Sequence, residues 1–375
     1  MKCGIVVHER YFWHQAGNVV GIEPAGINAR IGRFNEPLAP FESPSAKRRI
    51  WNLVQACNLD AELVRIAPRS ATVDELCLFH TREYVDRVHD LSLLDAGGDA
   101  GECAKFMGGS FEIATLAAGG VFAAVDAVMR GAVKRVYCLV RPPGHHAERD
   151  RGRGFCLFNN VALGAMYTLK AFPEAVKRIA IVDYDVHHGN GTQQAFYDSN
   201  QVLFISMHQD RLYPCEGGLA DERGTGAGLG FNVNVPLPPG SGVGAYDAVF
   251  DEIVIPALEA FKPDLIFVSS GFDAAAFDTL GRMQLPSSSF GSFARKLCAV
   301  GSGRVIAAHE GGYDEILGSF CGLRVIEALA DVEHSPVVDP FETEISGYVT
   351  QALQTHQRSA IDAAKSKIDF LALQN

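Results

Sequence analysis

The chain has 375 residues, 47% apolar and 21% charged, with 38 glycines, a composition ordinary for a folded enzyme and too apolar for a disordered chain. Its 33 Lys and Arg against 44 Asp and Glu leave a net charge of −11, a field that repels polyanions, gives no basis for nucleic-acid binding and would welcome a cationic substrate. Its 9 cysteines are odd in number and form no C-x-x-C pair, which excludes a disulfide framework or thiolate metal site as the first reading and suits reduced thiols in a cytoplasmic protein.

The first predicted element is a strand over 5–7, whose apolar run ends at His8-Glu9 and is too short for a signal peptide. Segment 11–43 is long, punctuated by Pro and Gly, and carries Arg30 and Arg33; it reads as a rim loop. A helix over 45–56 follows, then a Gly-rich stretch over 97–109. The Ala-rich segment 111–130 is apolar all round, which predicts a buried helix. Next come a strand over 136–140, a helix over 161–171, strands over 179–182 and 202–205, and a second Gly-rich loop over 214–230. A helix over 243–261, a strand over 265–268, a helix over 288–300 and a strand over 305–307 complete the series. The C-terminal 342–375 reads as one amphipathic helix with Leu353, Ile361, Ile368 and Leu371 on its apolar side, suited equally to the core or to a second copy, which leaves a homo-oligomer open. Strands alternating with helix-length segments predict parallel pairing through crossover helices. Because the strands are continuously apolar, helices should cover both faces. The expectation is one doubly wound, mostly parallel α/β domain over 1–375, and with no run approaching the roughly 18 apolar residues of a spanning helix, no membrane partner.

Four of these strands end in chemistry. The first runs into Arg141-Pro-Pro-Gly-His145-His146, two imidazoles after a stiff turn, held where they could reach a water. The second, Ile179-Ala-Ile-Val-Asp183-Tyr-Asp185-Val-His187-His188, loads four ionisable groups into six residues. Alternation along an extended chain would put Asp183, Asp185 and His187 on one side. Capping of the next helix by Asp183 or Asp185, with His187 a satisfied core residue, is the ordinary explanation of a lone Asp-x-His; the density of buried charge weighs against it. The third strand ends in Gly271-Phe272-Asp273, supplying a second carboxylate. Asp185, His187 and Asp273 would make three ligands with a fourth position open, the arrangement of a catalytic zinc. The fourth strand ends in His309-Glu310-Gly311-Gly312-Tyr313, where close-turning glycines would aim a phenol at a developing oxyanion.

In this order and at these separations, R-P-P-G-H-H, D-x-D-V-H-H-G-N-G-T and E-G-G-Y resemble the histone deacetylase family of the arginase–deacetylase fold, closest to its class II and bacterial members, from about His80 to Glu327. The resemblance implies that Asp185, His187 and Asp273 bind one zinc and that Tyr313 helps polarise the scissile carbonyl. His145 and His146 would share activation of the attacking water and protonation of the leaving amine, with Asp183 behind His145. Asn190 stands behind His146 where some relatives have Asp, which makes His146 the weaker base. Phe155 and Tyr213 would wall a tunnel, with Gly154 and Leu280 at its rim and depth. Potassium would be held by Asp183, Asp185, His187, Ser206 and Met207, and at an outer site by Phe196, Ser199, Val202 and Phe231. The family's early pattern is not matched over 11–43.

The implied reaction is hydrolysis of an N-acyl amide, of an acyl-lysine or a related acylated amine. Acetylpolyamine hydrolysis is the alternative, disfavoured because Leu280 stands where such relatives can carry an acidic gatekeeper. A binuclear manganese ureohydrolase would need carboxylates where this chain has Gly189 and Ala275. A non-catalytic acyl-lysine-binding protein would not need both a proton shuttle and an oxyanion donor.

Overall fold

The computed structural model describes residues 2–17, 19–20, 23–24, 40–333 and 336–374. Eight strands form its main sheet: β1 Cys3–Val6, β2 Leu63–Arg65, β3 Arg135–Cys138, β4 Ile179–Asp183, β5 Val202–Gln209, β6 Asn232–Leu237, β7 Leu265–Ser270 and β8 Val305–His309. Their spatial order is β6-β5-β4-β7-β8-β3-β1-β2, and every neighbouring pair is parallel.

The strands have two buried faces because successive residues serve two different cores. Ile179 and Ile181 pack with Val136, Phe204, Phe267 and the helices Ser110–Met129 and Asn160–Ala171. Ala180 and Val182 turn the other way, toward the helices Pro44–Ala56, Ser287–Cys298 and Leu317–Ala330. This is the doubly wound α/β arrangement expected. Helix Ser110–Met129 is long and apolar enough to cross a membrane, but two thirds of its apolar window, 67%, is buried inside the protein. A helix apolar on all sides is stable here because sheet, neighbouring helix and the Tyr84–Phe158 cluster cover it.

The edge strands β2 and β6 escaped the sequence reading. Leu63-Val-Arg65 is too short to show a period, and Asn232-Val-Asn-Val-Pro-Leu237 carries two Asn and a Pro that strands seldom hold away from an edge. The helices Arg82–Ser92 and Leu317–Ala330 also went unpredicted. Segment 243–261 is helical throughout, with one π turn over Phe250–Val254.

One expectation is corrected. The C-terminal segment is not one helix: Glu342–Ser346 stops at Gly347, a 3-10 turn follows, and Thr355–Lys365 forms a second helix. The break lets Gln351 reach inward, accepting from the amide of Val243 and donating to the carbonyls of Gln284 and Ile345. Ile361 is buried in the core, with Leu353 and Ile368 packed against it, whereas Leu371 is exposed. Most of segment 11–43, Arg30 and Arg33 included, lies outside the described residues; at its described ends buried and exposed side chains mix, Trp13 being 70% exposed. Tyr11, Phe12, His14 and Glu42 are all enclosed. Arg141, itself buried, ties these ends together, donating to Glu42 Oε1 at 2.8 Å and to the carbonyls of Tyr11, His14 and Glu42.

Beneath the carboxyl end of β4, Phe293 stacks on Phe250 at 4.4 Å between ring centroids and contacts Tyr184, Tyr246 and Phe290. Replacing Phe293 by Ala should therefore destabilise the fold by about 3–5 kcal/mol, read as a lowered midpoint of denaturant unfolding. A change below about 1 kcal/mol would mean that this cluster does not support the strand.

Candidate metal centre and active site

β4, β7, β8 and β3 are consecutive in the sheet, and the four polar motifs follow their carboxyl ends. Adjacent parallel strands release their loops on the same edge, so motifs far apart in sequence meet there. Asp183, Asp185, Asp273, His145, His146 and His187 are all buried. So many ionisable groups out of water are tolerable only when paired.

They are paired in three sets. His145 Nδ1 lies 3.1 Å from Asp183 Oδ2, and His146 Nδ1 lies 2.7 Å from Asn190 Oδ1. His187 Nδ1 lies 3.0 Å from Asp185 Oδ1 and 3.1 Å from Asp273 Oδ2. Strict alternation does not carry through the motif, because β4 ends at Asp183 and the chain bends afterwards. Asp183 consequently serves His145, and only Asp185 and His187 turn toward Asp273.

The Asp185, His187 and Asp273 donor atoms all lie within 4.8 Å of one another. Each carboxylate satisfies one oxygen with a backbone amide: Gly311 N–H on Asp185 Oδ2 and Val186 N–H on Asp273 Oδ1, both at 2.8 Å. The other oxygens face His187. Gly271 and Gly311 close the cradle, since a Cβ at either would collide with these carboxylates. Two carboxylates converging on one imidazole nitrogen form a donor set that fits a small divalent cation.

The electrostatics agree with that chemistry. Burial raises the pKa of Asp273, and the Asp185 charge adds to it, to about 7 despite the opposing His187. Burial disfavours charge on His187, yet its hydrogen bonds to Asp185 and Asp273 prevail and raise it to about 10. Burial likewise opposes a charged His145, but Asp185 and Asp183 raise its pKa to about 10. His146 is pushed well below the ordinary value by burial and by the neighbouring His145 and His187 charges. The two adjacent histidines therefore differ: His145 favours the cationic form and His146 the neutral one.

A narrow cavity of about 190 Å³ leads to this cluster, ending on His146, His187 and Tyr313. Gly154, Phe155, Tyr213 and Leu280, the expected tunnel residues, all line it. Gly154 has φ +50°, and a side chain there would strike the His146 and Tyr213 rings, so only glycine lets the wall close. Phe155 and Tyr313 meet edge to face at 5.8 Å. Burial, then the Asp273, Asp185 and Asp278 charges, keep the Tyr313 phenol well above its ordinary pKa and thus protonated.

Other contributors went unseen in the sequence. Cys103 and Leu212 also line the cavity. The buried carboxylate of Asp278 accepts from the amides of Tyr313 at 2.7 Å and Leu280 at 2.9 Å, tying the catalytic loop to the tunnel wall. Glu310 Oε2 accepts from the amides of Gly144 and His145. Lys47, paired with Glu42 at 3.1 Å, lies 5.5 Å over the Tyr313 ring. Apart from Glu310, which stands in the E-G-G-Y motif, none of these carries a local sequence signal, because a lone Asp, Glu or Lys is ordinarily a surface residue. A second trio, His145, Cys156 and Glu310, also brings donor atoms within 4.8 Å, but burial holds the Cys156 thiol well above its ordinary pKa and hence protonated.

The residues named for potassium fall into two groups. Asp183 pairs in register with Ser206, so Asp183, Asp185, His187, Ser206 and Met207 lie around the end of β4 and the middle of β5; Ser206 Oγ is 2.8 Å from His208 Nδ1. Phe196 and Ser199 are joined by a backbone bond at the start of β5, near Val202. Gly228 packs on the 197–199 backbone and accepts from the Phe231 amide, which brings that residue to the same corner.

The mostly parallel eight-stranded sheet with helices on both faces is that of the arginase–deacetylase fold. The histone deacetylase domain profile matches residues 40–329. The chain is 42% identical to the histone deacetylase-like amidohydrolase of Pseudomonas aeruginosa over 98% of its own length and 94% of that protein. It is 34% identical to a probable deacetylase of Archaeoglobus fulgidus, over 98% and 96% of the two chains. With histone deacetylase clr3 of Schizosaccharomyces pombe, identity is 40% over 72% of this chain, which spans 41% of that protein. The chain belongs to the histone deacetylase family.

Proposed function

We propose that this protein is a zinc-dependent amidohydrolase that removes the acyl group from an acyl-lysine or a similarly extended acylamine. The observation that carries the reading is the narrow cavity, walled by Phe155, Leu212, Tyr213 and Leu280, that ends on His146, His187 and Tyr313. Its apolar wall and its volume of about 190 Å³ suit an extended alkyl chain. Among the described residues its lining contains no carboxylate, so a cationic amine within the chain of an acetylpolyamine would find no partner there.

Asp185, His187 and Asp273 would hold the zinc, which supplies Lewis acidity toward the carbonyl and toward water. The rest of the chemistry belongs to the chain. His146, held neutral, accepts a proton from the attacking water at Nε2, while its Nδ1 is occupied by Asn190. Tyr313 donates its phenolic hydrogen to the oxyanion. His145, held cationic by Asp183 and Asp185, gives its proton to the leaving nitrogen, and the proton taken up by His146 replaces it so that both histidines end as they began. Potassium would bind through Asp183, Asp185, His187, Ser206 and Met207, and at the outer corner through Phe196, Ser199, Val202 and Phe231.

A fluorogenic panel varying acyl length and amine carrier tests the substrate. Acetyl-lysine peptides should exceed acetylated polyamines by at least about tenfold in kcat/KM, and Leu280→Glu should narrow or reverse that ratio. A native preference for polyamines would overturn the substrate assignment. Absence of chelator-sensitive turnover on every member would favour a non-catalytic acyl-lysine-binding protein.

A further inference from the structure

The supports behind the two active-site histidines differ in kind. Asp183, behind His145, is a carboxylate, able to accept a hydrogen bond through either oxygen. Asn190, behind His146, is an amide with one accepting and one donating end, so rotation by half a turn would reverse what it offers. If Oδ1 faces His146, the ring must carry its proton on Nδ1, and Nε2 keeps the lone pair a base requires. If Nδ2 faced it, Nδ1 would have to accept and Nε2 would carry the hydrogen. Catalysis by His146 therefore depends on something that orients Asn190.

Glu148 is that group. Asn190 Nδ2 donates to Glu148 Oε1 at 2.7 Å, a shorter bond than its 3.3 Å contact with the His146 carbonyl. Glu148 is buried, and it is held in place from two sides: Arg153 Nη1 donates to the same Oε1 at 3.0 Å and Arg151 Nε to Oε2 at 2.7 Å. An ionised carboxylate only accepts, so the donating end of Asn190 must face it. Arg153 also lies 5.6 Å over the face of Tyr213, whose ring meets His146 edge-on at 5.0 Å. The arginine thus supports two of the contacts of that imidazole, Asn190 through Glu148 and Tyr213 directly.

We propose that Glu148, braced by Arg153, is a positioning residue that sets the tautomer of His146 by fixing the orientation of the Asn190 amide. This deepens the amidohydrolase reading and rests on it for the effect on turnover. Glu148 touches no reacting atom. Its influence passes through two hydrogen bonds of fixed direction.

The test uses the zinc-loaded full chain and compares wild type, Glu148→Leu, and the double variant Glu148→Leu/Asn190→Asp. Leucine removes the acceptor at nearly constant volume; Asp at 190 accepts from His146 in either rotamer and no longer needs orienting. Glu148→Leu should lower kcat on an acetyl-lysine reporter by about 10- to 100-fold with little change in KM, the scale typical of a group behind a working histidine. The double variant should recover most of that loss. Both variants lack the Glu148 side chain, so loss of fold cannot produce a recovery. Independently of activity, two-bond 15N–1H correlations on histidine-labelled protein, with His146 assigned through His146→Gln, should report Nδ1–H in the wild type and the double variant but a mixture or the Nε2–H form in Glu148→Leu. A kcat within about twofold of wild type for Glu148→Leu, a loss confined to KM, no recovery in the double variant, or an unchanged tautomer would each overturn the proposal. If the wild type hydrolyses no acylamine, the functional reading fails, while the tautomer measurement still decides the role of Glu148.

Discussion

Asp185→Ala or Asp273→Ala should abolish stoichiometric zinc, whereas Asp183→Asn should retain it and lose activity. The contrast follows from geometry: Asp185 and Asp273 both reach His187 Nδ1, at 3.0 and 3.1 Å, while Asp183 bonds His145. Elemental analysis of purified protein reads the outcome directly. One zinc per chain retained in either alanine variant would sink the ligand set. The same site predicts a pH dependence whose sign is definite. Without metal, His187 with its pKa near 10 and Asp273 with its pKa near 7 both hold protons around neutrality. Zinc needs the imidazole lone pair and the carboxylate anion, so uptake must release protons, and loading should weaken as pH falls below 7. Calorimetry of zinc binding in buffers of different ionisation enthalpy measures that release.

Tyr313→Phe is expected to lower kcat by about 100- to 1,000-fold while leaving zinc content and KM nearly unchanged, the cost of removing one oxyanion donor, roughly 2.7–4 kcal/mol. The prediction stands on position and protonation together. Tyr313 ends the cavity beside His146 and His187. Its backbone is held by Asp278, and burial with three nearby carboxylates keeps the phenol protonated. Phenylalanine preserves the packing against Phe155 and removes only the donor. Full activity in this variant, measured on the acetyl-lysine reporter, would take the oxyanion role away from Tyr313.

These predictions converge on an edge of the sheet where each motif alone was ambiguous. A Gly-Gly-Tyr is more often packing, and a His-His pair can be a plain loop feature. What removes the ambiguity is that β3, β4, β7 and β8 are neighbours, so their carboxyl ends share one cleft. The wall of that cleft is apolar, as an alkyl chain requires, and its floor is polar.

The sequence by itself determined the α/β alternation, six of the eight strands of the sheet, the buried helix around 110–129, and the motifs at four strand ends. It could do so because these signals are local: continuous apolar runs, helix-length spacing, and ionisable residues crowded after a strand. It left the edge strands Leu63–Arg65 and Asn232–Leu237 unread, and it joined into one helix a C-terminal segment that Gly347 and the inward reach of Gln351 divide. Only the tertiary structure decided that Asp183 serves His145 while Asp185 and His187 meet Asp273, because the chain leaves extended geometry after residue 183. Only it placed Asp278, Glu310 and Glu148 behind the catalytic loops. Asp278 and Glu148 are single acidic residues with near neighbours as partners too, but the contacts that matter, to Tyr313 and Asn190, lie 35 and 42 residues away. Pairings at that distance are set by strand order and burial, and a linear pattern does not contain them.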